Sequence, residues 1–115
     1  MNLTELASKL DCWQTVHLNS LNIDIRVKRL SLKEVNEVER LVEVCSTGSG
    51  KNRSVTNVAK LVHTIVKKYF TDSEGNPLAK DDTEEQVSEW PGTLVQELLA
   101  AYRQVNEVQE PNDSP

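Results

Sequence analysis

The chain has 115 residues, a formal net charge of −5 and only 4% aromatic residues. It fits one domain with an aliphatic core, in which Trp13, Tyr69, Phe70, Trp90 and Tyr102 are the few large pieces. The charge is split: residues 1–70 carry 11 Lys/Arg against 7 Asp/Glu, and residues 71–115 carry 2 against 11. That acidic half argues against a protein that coats nucleic acid, which needs a broad positive face. No apolar run approaches the ~20 residues of a membrane span.

The start, "MNLTELASKL", lacks a basic head followed by an apolar stretch, and there are two cysteines. Both features predict a protein of a reducing cytoplasm. Asn2 with Glu5 three residues on reads as a helix start, and Leu3, Leu6 and Leu10 follow at near-helical spacing, with an end near Asp11. The period then changes. Ile23, Ile25 and Val27 alternate with Asp24, Arg26 and Lys28, and Val16 and Leu18 alternate likewise across "NSLN". This predicts a β-hairpin over residues 15–29.

Ser31 and Glu34 form a capping-box pattern, with Leu30 and Val35 placed as a hydrophobic staple. The helix they open carries Val35, Val38, Leu41, Val42 and Cys45 on one face and is expected to stop at Thr47-Gly48. A second long helix is expected from Ser54, with a wide stripe of Val55, Val58, Ala59, Leu61, Val62, Ile65, Val66 and Tyr69. Lys67 and Lys68 near its end suit the helix dipole. "DSEGNP" reads as a turn. "DDTEEQVSEW" reads as a short acidic helix capped by Asp81 or Asp82. Pro91 suits a first helical position, opening a helix with Leu94, Val95, Leu98, Leu99, Tyr102 and Val105. Periodicity ends after it. The expected organisation is a single domain over residues 1–107 and a disordered tail over 108–115.

The segment "CSTGSGKNRS" resembles a phosphate-binding loop but does not fit the pattern. Aligned on Gly50-Lys51, the first glycine falls at Cys45 and the magnesium-binding Ser/Thr at Asn52. A flexible helix–helix connection is the expected role. Cys12, His17, Cys45 and His63 number as a zinc set, but their spacing matches no zinc finger. The carboxylates at 81, 82, 84 and 85 suit a helix first turn better than acid–base work. No catalytic set, cofactor or metal is expected.

The order of parts, and the turn Asp72-Ser73-Glu74-Gly75-Asn76-Pro77-Leu78 in particular, carry a likeness. The turn stands where one family has D-x-x-G-x-P-L/I. It is followed by the acidic "KDDTEEQVSEW" and a closing helix that ends in Asn. Over residues 15–107 the chain resembles the tail assembly chaperones of long-tailed bacteriophages. It departs from them at Trp90, usually aliphatic in the family, and at the glycine loop, which varies. The resemblance implies a non-enzymatic protein of the host cytoplasm that binds the tape measure protein, keeps it soluble while the tail tube forms, and is absent from the virion. It also implies the tail tube protein and a frameshifted longer form of the chain itself as further partners.

The fold expected is therefore α+β and mainly α, a small N-terminal β-hairpin followed by a bundle of about four helices. Leu41, Val58, Val62, Ile65, Leu94, Leu98 and Leu99 are expected to be largely buried. The candidate partner-binding residues are Val58, Val62, Ile65, Trp90, Leu94, Leu98 and Tyr102, because the wide stripes at 55–69 and 91–106 would form an apolar groove with an acidic rim. The sequence does not divide these stripes between core and partner. The opposite charges of the two halves favour self-association into a homo-oligomer. Two other functions stay open: a structural tail or head–tail connector component, and a small DNA-binding regulator using the basic helix at 54–68.

Overall fold

The computed structural model describes residues 2–10, 12–48, 54, 55 and 57–106. The expected tail at 108–115 and residues 49–52 of the glycine loop lie outside the described residues. The fold is α+β and mainly helical, with an antiparallel β-hairpin near the N-terminus followed by helices.

Helix α1 (Leu3–Ala7) starts as its cap predicts, with the Asn2 side chain accepting from the Glu5 backbone N–H at 2.8 Å. It buries none of its residues. Strands β1 (Trp13–Leu18) and β2 (Ile23–Lys28) form the predicted hairpin, pairing Trp13 with Lys28 through to Leu18 with Ile23. Asn22 closes the turn at φ +52°, a left-handed conformation that asparagine tolerates. Leu18, Ile25 and Val27 lie on the inner face and are buried.

Helix α2 (Leu32–Val44) carries both halves of the Ser31/Glu34 capping box. It ends three residues before the expected Thr47-Gly48 stop, because Ser46 and Thr47 form β3 (Ser46–Thr47) against β4 (Ser54–Val55). Ser54 is therefore in a strand and does not open the next helix. That helix, α3 (Val58–Tyr69), is capped by Asn57, whose side chain accepts from the Lys60 N–H at 3.1 Å. The chain then runs straight into β5 (Phe70–Asp72), a strand not expected from the sequence, which pairs antiparallel with β2 to complete the order β1-β2-β5. The "DSEGNP" turn follows. Asp72 accepts from the N–H groups of Glu74 and Asn76, and Gly75 takes φ +91°. The Asn76 hydrogen bond, with that of Glu74, holds the Asp72 carboxyl below its ordinary range, against a smaller upward push from burial.

Helix α4 (Glu84–Ser88) is capped by Thr83, not by Asp81 or Asp82. Thr83 and Gln86 make a reciprocal capping box that satisfies two backbone donors at once, which neither aspartate is placed to do. Helix α5 (Gly92–Asn106) begins one residue after Pro91, whose carbonyl accepts from Val95. Its last residue, Asn106, ties the helix end to the sheet. Oδ1 accepts from the Leu30 N–H at 2.8 Å, and Nδ2 donates to the carbonyls of Lys28 at 3.0 Å and Tyr102 at 3.2 Å.

α3 is central to the packing, touching α2, α4, α5 and β5. Its Leu61, Val62, Ile65, Val66 and Tyr69 are buried together with Phe70, Val87, Leu98 and Ala101. Of the seven expected core residues, Val62, Ile65 and Leu98 are buried, while Leu41, Leu94 and Leu99 pack half-buried around them. Val58 is 39% exposed, because α3 starts there and its first residue does not yet face inward. Beside this core the Lys28 ammonium bonds the Glu34 carboxylate at 2.8 Å. That bond raises the Lys28 pKa over a smaller opposing effect of burial. Burial pushes Glu34 upward, but bonds from Lys28 and Ser31 outweigh it and leave the carboxyl low.

Candidate functional site

The first turn of α3, the end of α4 and the first two turns of α5 enclose an open groove of about 500 Å³. Val58 and Ala59 form one wall, Val87 and Ser88 another, and Gly92, Val95, Gln96 and Leu99 the third, with Trp90 at the corner. Helical spacing explains the third wall: residues 92, 95, 96 and 99 share one face of α5. Gly92 has nothing within 4 Å of where a Cβ would sit, so the groove stays open beside it. The α4 capping box sets that helix's phase and turns Val87 inward, where it is only 2% exposed.

Trp90 also borders a smaller, mainly apolar depression of about 150 Å³, whose lining includes Leu21, Ile23, Leu94 and Leu98 and one carboxylate, Asp82. Leu21 and Ile23 at its edge are themselves exposed. An apolar band thus runs from Val58 past Trp90 to the β1–β2 turn. Glu97 fixes the turn at the far end by accepting from the Ser20 N–H at 2.9 Å.

The seven candidate residues divide. Val58, Trp90 and Leu94 line this band at its surface. Val62 and Ile65 are in the core at 1% and 3% exposure, and Leu98 is buried with only an edge in the smaller depression. Tyr102 sits elsewhere, in a depression between α2 and α5 beside Glu39 and Glu43. The sequence reading missed Val87, Ser88, Gly92 and Gln96 as groove residues. The Thr83-x-x-Gln86 box is the signal that would have phased α4 and found Val87.

Among the described residues, the groove lining includes no titratable side chain, and its polar members are Ser88 and Gln96. Ser88 Oγ is already bonded to the Glu85 carbonyl. Lys28, Glu34, Tyr69 and Asp72, whose titration is displaced, line none of it. Exposed Glu84, Glu85 and Glu89 on and just after α4 supply an acidic rim. The four Cys and His residues are dispersed. His17 Nδ1 is 2.8 Å from Asp24, and His63 Nε2 is 2.7 Å from the Asp82 carbonyl. Cys45 is buried and Cys12 exposed. Such a site is built to take up apolar surface.

No protein-family model and no curated protein matches the chain. Among solved structures, the tail assembly chaperone of bacteriophage HK97 superimposes with a TM-score of 0.53 at 14% identity. The match covers 91% of this chain and 100% of that one. This chain shares that chaperone's fold. The groove at α3, α4 and α5 is therefore a surface of the fold that the two chains share.

Proposed function

We propose that this chain is a phage tail assembly chaperone that binds the tape measure protein and keeps it soluble until the tail tube encloses it. The fold shared over the whole length of the HK97 chaperone is the observation that carries the reading. The groove supplies a mechanism. A tape measure chain is long and helix-prone, and exposes apolar stretches before it is packaged. The band from Val58 to Trp90 would take the apolar face of one such helix at a time. The rim of Glu84, Glu85 and Glu89 favours basic residues flanking it. The work is done by binding and release, with no chemical step.

In this reading the protein acts in the cytoplasm of the bacterial host and leaves before the virion is complete. The tail tube protein and a frameshifted longer form of the chain would join it there. Many weak contacts along one long target suit the task, since several bound copies act together through raised effective concentration.

Co-expression tests the proposal. The long, helix-rich reading frame expected immediately downstream is produced alone and together with this chain. Its soluble yield should rise, and the two should co-purify at low salt. An insoluble tape measure with no recovered complex would abandon the chaperone reading. Recovery of the chain in purified virions would favour a structural tail or connector component.

A further inference from the structure

The two edges of the three-stranded sheet are treated differently. At the β5 edge the chain folds back on itself: Thr71 bridges Pro77, the Asp72 N–H donates to the Asn76 carbonyl, and the Leu78 N–H donates to the Phe70 carbonyl. The other edge is β1, six residues long, and among the described residues no strand lies beyond it. Proteins usually blunt such an edge with lysine, proline, a bulge or a covering segment. "WQTVHL" contains no Lys, Pro or Gly, and its register with β2 runs unbroken from Trp13 to Leu18. Among the described elements, β2 and α5 make the most extensive contacts with β1.

The register shows which groups point outward. Arg29 N–H donates to the Cys12 carbonyl, which makes the pair 12 and 29 hydrogen-bonded. Alternation along an antiparallel ladder then directs the backbone groups of Gln14, Val16 and Leu18 to β2 and those of Thr15 and His17 to the open edge. Thr15 and His17 are also exposed as residues.

We propose that β1 pairs antiparallel with β1 of a second copy of this chain, about a two-fold axis through Thr15, to give a continuous six-stranded sheet. Thr15 exchanges both backbone hydrogen bonds with Thr15 of the partner subunit, and His17 lies across from the partner's Trp13. The strand is self-complementary in this register. Thr–Thr and aromatic pairs across neighbouring strands are favourable ones. On the outer face, Lys28 and Asp24 lie one strand further out, are already paired with Glu34 and His17, and face their opposite numbers in the partner subunit across about 14 Å, so charge is close to neutral for this register. The like pair, Arg26 in each copy, is three strand spacings or about 14 Å apart. That exceeds the ~8 Å screening length at physiological ionic strength, so its repulsion is small. α5 contacts both β1 and β2, so the two copies of α5 would lie on the same face of the joined sheet.

This assembly does not depend on the proposed function, and β1 contributes no residue to the α3–α4–α5 groove. The test uses the full chain without any partner. Sedimentation equilibrium should give twice the monomer mass, and exchange of the Thr15 amide should slow as protein concentration rises. Thr15→Pro removes an N–H that the β1–β2 ladder does not use, so the monomer should fold and the dimer should be lost. If that variant misfolds, Thr15→Lys gives a second route. It places like charges directly opposite each other and should raise the dimer dissociation constant at least about tenfold, with an unchanged circular dichroism spectrum. A wild-type chain that stays monomeric, or a folded Thr15→Lys variant that dimerises as well as wild type, would overturn the proposal.

Discussion

Replacing Asn106 with alanine should loosen the joint between the last helix and the sheet. The side chain makes three hydrogen bonds, to the Leu30 N–H and to the carbonyls of Lys28 and Tyr102. All are partly buried, and two of them span more than 70 residues of sequence. A typical protein hydrogen bond contributes about 1 kcal/mol net, and a buried group left without a partner costs about 1–3 kcal/mol. The Tyr102 carbonyl is shared with the helix end and can turn to water, so the losses at Leu30 and Lys28 dominate. The expected destabilisation is about 2–3 kcal/mol, measured as a shift of the urea midpoint at constant slope. Asn106→Asp keeps the acceptor for Leu30 but turns a carboxylate oxygen toward the Lys28 carbonyl, and should lose at least as much. A loss below about 0.5 kcal/mol for the alanine variant would refute the clamp, because it would mean that water replaces all three bonds at no cost.

Further outcomes follow from the same geometry. Leu98→Ala removes a side chain that is 4% exposed and should cost about 2–4 kcal/mol in denaturant titration. Gly75→Ala places a Cβ in open space but at φ +91°, so its cost should be backbone strain alone, about 1 kcal/mol. The Lys28–Glu34 pair should shape the pH profile at both ends. The lowered Glu34 pKa contributes stability above its ordinary value of 4.5 that is lost as pH falls through the depressed value. The raised Lys28 pKa contributes stability below 10.5 that is lost as pH rises through the elevated value. Glu34→Gln should flatten the acid limb, and an unchanged limb in thermal melts would count against the pair.

Much of the fold was legible because its signals are local. The Ser31/Glu34 capping box opens α2 where the pattern places it, and the alternation at Ile23, Ile25 and Val27 gives the hairpin face. What escaped depends on distant partners. Phe70-Thr71-Asp72 is three residues directly after a helix, and it is a strand only because β2 has an unused hydrogen-bonding edge. Ser46-Thr47 and Ser54-Val55 are too short for any period and exist as a pair or not at all. The misplaced start of α3 at Ser54 had a consequence, since moving it to Val58 turns an expected core residue into a groove wall. The groove itself joins residues about thirty positions apart, so periodicity could supply its walls but not bring them together.

The central claim is that the α3–α4–α5 groove holds apolar segments of a tape measure protein. Val58→Glu tests it most directly, because Val58 is 39% exposed and opens a helix, where an acidic residue is favourable. The variant should therefore fold as well as wild type while placing a charge inside the groove. Calorimetric titration with soluble tape measure segments should show binding by wild type and affinity at least about tenfold weaker for Val58→Glu. Equal affinity for the two, with both folded, would contradict the account and move the binding surface elsewhere on the fold.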